Sequence, residues 1–96
     1  MHIVADFRLS PIGSGVSIRK YTDICQQVLK SEGRGKVECH QHASGTNLAG
    51  EYDDVMMIIK KCHEQVLKAD VTRVLSDIHI DMRIDKKKSL GEYTGA

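Results

Sequence analysis

The sequence is poor in the residues that build large aromatic cores and disulfide frameworks. Its 96 residues include no Trp, one Phe, three Tyr and three Cys. Because the number of cysteines is odd and none forms a CxxC pair, reduced thiols are favoured over a disulfide framework. We therefore expect a cytoplasmic protein with a single core, as this length implies.

Net charge and long apolar runs are scarce as well. The formal net charge of +1 provides no long-range attraction to nucleic acid or to anionic lipid. No run of residues is apolar enough to cross a bilayer, and the start MHIVADFRLS lacks the pattern of a signal peptide. Nucleic acid and membrane are therefore not expected as partners.

Several motifs of covalent and phosphate chemistry are missing too. The sequence contains no GxSxG elbow, no P-loop and no GxGxxG. Cys62 and His63 are neighbours on a predicted helix, where adjacent side chains do not face each other, so they make a poor nucleophile and base. We expect a protein that is not an enzyme.

The apolar residues that are present follow two periods. They alternate over residues 3–9, 37–43, 46–49 and 72–84, which predicts strands, and recur at three and four over 17–33 and 51–68, which predicts helices. The order β-α-β-β-α-β predicts an α+β, ferredoxin-like fold, with a four-stranded antiparallel sheet and both helices on one face. We expect a single domain over residues 1–88 and a flexible tail over 89–96.

The open face of this predicted sheet is rich in charges and imidazoles. If a second subunit covers that face, its polar groups must pair or hold a ligand, because unpaired buried charges are costly. The alternation places these residues there: Asp6, Arg8, Glu38, His40, His42, Asp77, His79, Asp81 and Arg83.

One hypothesis for these imidazoles is a metal site. His40 and His42 lie two apart on a strand and face the same way, and His79 could join them, a set that zinc accepts. Solvated or interface histidines explain the same pattern. Cys39 points to the other face, so it is interpreted as a core thiol together with Cys25 and Cys62.

A second hypothesis is a pocket for a small ligand in the segment SGTNLAGEYDDV. Thr46 and Asn47 offer a hydroxyl and an amide, and Gly45 lets the backbone come close. Tyr52 offers a flat ring, although core packing explains its spacing equally well. Glu51, with Asp53 and Asp54, offers negative charge that also suits a helix N-terminus. Such groups fit a planar, cationic guest.

An ordered set of motifs resembles the family of small thiamine-binding proteins. The set is PIG, then HxSGTNxxGEYDDVM, then KKCHE, then RVxSDIxIDMRxDK, and it covers roughly residues 4–89. The resemblance implies a ferredoxin-like protein that dimerises through its open sheet faces, often as a dimer of dimers. It also implies thiamine or a related aminopyrimidine as the ligand, bound near subunit interfaces, and no established catalysis.

The motifs of the family match particular residues of this sequence, and the sequence departs from the family's pattern at two places. Tyr52 stands where the family usually has Trp, so a ring is retained. The last residues are SLGEYTGA, where family members usually continue into a further helix. The resemblance therefore does not decide whether the protein is a dimer or a tetramer. The matched positions are Pro11, Gly13, His42, Gly45, Thr46, Gly50, Tyr52, Arg83 and Asp85.

The sequence therefore predicts a cytoplasmic homo-oligomer that binds thiamine or a related aminopyrimidine without catalysis and requires no cofactor. Two alternatives remain: a metal-dependent enzyme or metal-binding protein, and an interaction module with no small ligand. In the favoured hypothesis Thr46 or Asn47 contacts the pyrimidine, Tyr52 or an aliphatic wall stacks on it, and Asp6, Glu51 or Asp81 lies near the cation. The candidate ligand residues are His42, Gly45, Thr46, Asn47, Glu51, Tyr52, Asp81 and Arg83.

Overall fold

A computed structural model describes residues 1–12, 18–33, 35–69 and 72–84. The elements follow the predicted order β-α-β-β-α-β. The third strand is longer than the predicted 46–49, because it pairs along its length with strands on both sides. The elements are β1 (His2–Pro11), α1 (Ile18–Glu32), β2 (Glu38–His42), β3 (Gly45–Glu51), α2 (Tyr52–Leu67) and β4 (Val74–Met82).

The four strands form one antiparallel sheet in the order β2-β3-β1-β4. This confirms the predicted α+β, ferredoxin-like arrangement. The two strands that are consecutive in the chain, β2 and β3, form a hairpin, whereas α1 and α2 provide the longer crossovers. The order leaves β2 and β4 at opposite edges of the sheet, which decides which side chains can meet.

Both helices pack on one face of the sheet, as predicted. The alternation in β1 turns Ile3, Ala5 and Phe7 toward the helices, and Leu48 of β3 joins them in one buried cluster. Five of the six apolar positions predicted for the second helix are buried; the sixth, Tyr52, is 37% exposed at the first residue of α2. The helix residues of the cluster are Cys25, Val28, Leu29, Val55, Ile58, Ile59, Cys62 and Val66.

The three cysteines differ in their surroundings. Cys25 and Cys62 are buried, as predicted, but Cys39 is exposed, so the interpretation of Cys39 as a core thiol is wrong. Its strand, β2, does place it on the helix side, opposite the fully buried Leu48. However, β2 is an edge strand, and the helices do not extend far enough to cover it.

Several sequence predictions fall on residues outside the described ranges. These are Gly13, the helix cap at Ser17, Asp85 and the tail 89–96, so the domain boundary at residue 88 stays a prediction. Across the residues that the structure describes, no helix combines the length and the apolar character needed to cross a membrane.

Candidate ligand site on the open sheet face

The open face of the sheet is organised in rows that run across all four strands. The pairing registers place His40, Asn47, Asp6 and His79 side by side in one row. The adjacent row contains Glu38, Ala49, Val4 and Asp81. Val4 and Ala49 are buried and contact each other on this face, which carries no helix. The open face is therefore polar above a small apolar floor.

Asp6 accepts hydrogen bonds from two side chains on this face. His42 Nε2 lies 2.8 Å from Asp6 Oδ1. Arg8 donates from Nε and Nη2 to Asp6 Oδ2, at 3.3 and 3.2 Å. His42 reaches Asp6 across β3, where Gly45 has no side chain in the way. The three residues form a connected polar cluster, hereafter the Asp6 cluster.

The contacts of the Asp6 cluster fix its charge and its tautomer. Burial acts to raise the pKa of Asp6, but the hydrogen bonds from His42 and Arg8, with the charge of Arg8, outweigh it and hold that pKa below its usual value. The backbone N–H of Ser44 donates to His42 Nδ1 at 3.3 Å. The neutral imidazole therefore carries its proton on Nε2 and donates it to Asp6. At neutral pH the cluster presents a carboxylate.

Asn47 lies directly beside Asp6 in the same row. The residue is only 8% exposed, and its amide has no atom that is fully buried without a hydrogen-bond partner. No hydrogen bond among the described residues engages that amide. Asn47 therefore presents a positioned donor and acceptor on the open face, next to a carboxylate.

Thr46 does not share this surface. It pairs with Phe7 and Gln41, residues of the helix-side face, and its side chain is buried there. Because successive side chains in a strand point to opposite faces, Thr46 and Asn47 cannot contact one small ligand from the same side. The pocket hypothesis drawn from the sequence had assigned both residues to a single pocket.

The other predicted ligand residues do not belong to the Asp6 cluster. Glu51 ends β3, and its Oε1 lies 2.9 Å from the amino group of Met1. The partly exposed ring of Tyr52 begins α2. Asp81 lies on β4 beside Val4, and the exposed Arg83 follows the end of that strand. Of the predicted set, the structure brings His42, Gly45 and Asn47 together around Asp6.

The imidazoles of the metal hypothesis are not all brought together within one chain. His40 and His42 lie on β2, and His79 lies on β4, at the opposite edge of the sheet. Three strand spacings separate the edges, which amounts to about 14 Å. Within the described residues, no group of three or more His, Cys, Asp or Glu side chains is arranged to hold a metal ion.

Two further features were not found from the sequence. On the helix side, His63 Nε2 lies 2.6 Å from Ser76 Oγ, and its ring meets Phe7 edge-on at 5.5 Å. The spacing of α2 gave no indication of this contact, because Ser76 is on β4.

Between the helices runs a groove of about 530 Å³ that includes Lys61 and Glu32, 3.9 Å apart. None of the predicted ligand residues lines it.

Comparison with known proteins gives consistent matches along nearly the whole chain. A family described as thiamine-binding protein matches residues 5–95. A UPF0045 protein of Synechocystis is 34% identical over 92 residues, which cover 96% of this chain and 74% of that protein. A UPF0045 protein of Methanocaldococcus jannaschii is 34% identical over 88 residues, 92% of this chain and 84% of the relative.

Solved structures show the same fold. The crystal structure of the Methanocaldococcus jannaschii protein superposes with a TM-score of 0.85 at 32% identity, covering 98% of this chain and 93% of that one. A Thermotoga maritima protein, provisionally assigned to thiamine biosynthesis or salvage, superposes with a TM-score of 0.81. The match covers 99% of this chain and 97% of the Thermotoga maritima chain. At 15% identity, this likeness supports the fold alone.

Proposed function

Because the chain belongs to the family of thiamine-binding proteins, we propose that it binds thiamine or a related aminopyrimidine on the open sheet face. The proposed role is non-catalytic binding, for carriage or buffering of the ligand, with no cofactor required. Membership of the family supports a role connected with thiamine. The choice of ligand and of site rests on the chemistry of the open face.

The amide of Asn47 carries the proposal. It is mostly buried, has no hydrogen-bond partner among the described side chains and faces the open side of the sheet. A 4-aminopyrimidine has an amino donor next to a ring-nitrogen acceptor. An amide side chain matches such an edge with two parallel hydrogen bonds, as Asn and Gln do with adenine. Asn47 is thus suited to the pyrimidine of thiamine.

The carboxylate of Asp6 suits the other half of the ligand. Thiamine has a thiazolium ring with a fixed positive charge, and the lowered pKa of Asp6 keeps that carboxylate ionised at neutral pH. The donors His42 and Arg8 hold the carboxylate in place. Arg8 also offsets part of its charge, so the expected electrostatic gain is modest. Asn47 would therefore supply most of the specificity.

An open sheet face is flat, whereas sites for small ligands are usually concave. A second copy packed on this face would supply the missing wall and would remove water from the ligand. The dimer through the open face is accordingly part of the proposal. Because the Asp6 cluster satisfies its own hydrogen bonds, covering it leaves no unpaired charge at that point.

Calorimetric titration of the protein with thiamine tests the proposal. We expect saturable binding by the wild type and at least roughly tenfold weaker binding by Asn47→Leu, which removes both hydrogen bonds to the pyrimidine. Thr46→Val is the matched control, since it changes the adjacent residue of the same strand but faces the helices. Its affinity should remain within about twofold of wild type.

The outcomes separate the possible sites. Loss of binding in Thr46→Val with retention in Asn47→Leu would move the ligand to the helix side and overturn the proposal. Absence of thiamine binding by a folded wild type, with no heat from 4-aminopyrimidine compounds, would reject the ligand class. Circular dichroism of each variant confirms that the fold is intact.

A further inference from the structure

Two buried thiols from different helices meet between α1 and α2. Cys25 belongs to α1 and Cys62 to α2, and both are free thiols of the same buried cluster. Their side chains form a hydrogen bond with each other across the seam between the helices. Packing alone does not require a second sulfur beside the first, because small apolar side chains fill such positions equally well. The pair therefore has a chemical capacity that the proposed ligand binding does not use.

The contact makes the two thiols unequal. The hydrogen bond from Cys62 lowers the pKa of Cys25, against the opposing effect of burial. The same hydrogen bond, together with burial, raises the pKa of Cys62. Cys25 is also the less buried residue, at 8% exposure against 1%. When the pair loses one proton, the thiolate is therefore on Cys25, and the S–H of Cys62 donates to it.

We propose that Cys25 and Cys62 are a site of covalent modification, at which a hydroperoxide oxidises the two thiols to a disulfide that links α1 to α2. A disulfide needs its two sulfurs about 2 Å apart. Because these sulfurs are already in hydrogen-bond contact, side-chain rotation and a small approach of the helices close that distance. The exposed Cys39, on β2, takes no part in the bond.

The groove between the helices gives a small oxidant a route toward the pair. Val28 and Gln65 line this groove. Each lies one helical turn beyond one of the two cysteines, on the same side of its helix. Hydrogen peroxide has two heavy atoms and no charge, so it needs little more room than water, whereas a bulky thiol reagent requires the helices to separate. We therefore expect peroxide to react with the folded protein.

The oxidation proceeds in two steps. The Cys25 thiolate attacks one oxygen of hydrogen peroxide, an S–O bond forms as the O–O bond breaks, and the departing hydroxide takes up a proton to give water. Cys25 is then a sulfenic acid, whose sulfur the Cys62 thiol attacks. The S–S bond forms as the S–O bond breaks, and the hydroxyl leaves with the Cys62 proton as a second water. The thiols lose two electrons in total, and the peroxide gains them.

The disulfide would close a large loop of the chain. The loop contains the end of α1, both strands β2 and β3, and most of α2. Restricting it removes conformational freedom from the unfolded chain, so the oxidised protein should be the more stable form. The proposed thiamine site lies on the opposite face of the sheet. This inference therefore does not depend on the proposed function.

Mass spectrometry of the peroxide-treated protein tests the proposal. We use the full chain with Cys39→Ser, which excludes disulfides through the exposed thiol. Hydrogen peroxide should remove two hydrogens from the intact mass, and digestion without reductant should give a linked peptide pair that contains positions 25 and 62. The linked protein should unfold at a Tm higher by roughly 10 °C, and dithiothreitol should reverse the shift.

Two single variants in the same background test the order of the steps. Cys62→Ser keeps a hydroxyl that donates to Cys25 but cannot form the disulfide, so peroxide should stop at the sulfenic acid of Cys25, which dimedone traps. Cys25→Ser is the matched control. Its remaining thiol is buried and has no thiolate partner, so it should give no dimedone adduct in the folded protein.

Three results would overturn the proposal. The first is a folded Cys39→Ser protein that keeps both thiols free, or carries only higher oxides of Cys25, after peroxide that fully oxidises free glutathione. The second is a linkage that forms only with loss of the native circular dichroism spectrum, because the bond would then arise in the unfolded chain. The third is an unchanged Tm in the linked protein. None of these results requires the single variants to fold.

Discussion

His42 and Asp6 are joined by a hydrogen bond across an intervening strand. His42 Nε2 lies 2.8 Å from Asp6 Oδ1, although β3 separates their strands. Gly45 of β3 makes the contact possible, since a Cβ atom there would lie 3.3 Å from His42 Cε1 and 2.8 Å from Arg8 Cγ. Because Gly45 has no side chain, the side chains of His42 and Arg8 can both reach the carboxylate of Asp6.

Gly45→Ala should disrupt the Asp6 cluster. The added methyl would lie 2.7 Å from the carbonyl oxygen of Phe7, a backbone atom that cannot move without shifting β1. We expect a loss of about 1–3 kcal/mol in the free energy of unfolding, measured by urea denaturation, together with weaker thiamine binding. Gly35→Ala is the control: its cost comes from the positive φ of 74°, and no other atom lies within 4 Å of the added methyl. Equal thiamine affinity in wild type and Gly45→Ala would contradict the role of the cluster.

Asp6→Asn should make the protein less stable at neutral pH but not in acid. The pKa of Asp6 is lowered in the folded protein from 3.8, so its ionised form stabilises the fold above about pH 4. That contribution disappears as the pH falls through the lowered pKa. Urea denaturation of both proteins between pH 7 and pH 2.5 should show the difference in unfolding free energy shrinking at the acid end. Asp23→Asn, at an exposed carboxyl of α1, is the control, and a pH-independent difference for Asp6→Asn would argue against an ionised Asp6.

His63→Gln should reduce the loss of stability in mild acid. Burial lowers the pKa of His63 from its usual 6.5, so protonation favours the unfolded chain. The wild type should therefore lose stability as the pH falls through about 6.5. Gln keeps a polar group near Ser76 and does not titrate. Thermal unfolding at pH 7.5 and pH 5.5 should show a smaller drop in Tm for His63→Gln than for wild type, and an equal drop in both proteins would contradict this role of His63.

Cysteine labelling distinguishes the exposed thiol from the two buried ones. A maleimide added to the native protein should modify Cys39 and leave Cys25 and Cys62 intact, since only Cys39 is exposed. Desolvation raises the pKa of Cys39, so its labelling should be slow at neutral pH and accelerate as the pH rises. Peptide mass spectrometry locates the label, and Cys39→Ser should abolish native labelling. Rapid modification of Cys62 without denaturant would mean that the core is more open than the structure shows.

Local periodicity was enough to predict the elements and the class of fold. The alternation around Ile3, Ala5 and Phe7 and the helical spacing of Val55, Ile58 and Ile59 depend only on neighbours along the chain. Each pattern identifies both an element and its buried face. The polar composition of the opposite face followed from the same alternation, and the ordered motifs identified the family, which the comparisons confirm.

Which residues meet across the sheet was decided by the tertiary structure. The strand order separates His79 from His40 by the full width of the sheet, and it brings Asp6 within reach of His42 over Gly45. It also leaves Cys39 on an edge that the helices do not cover. Strand order and register result from contacts between distant parts of the chain, and local periodicity carries no information about them. The sequence by itself therefore determined the faces, whereas the fold determined the neighbours on each face.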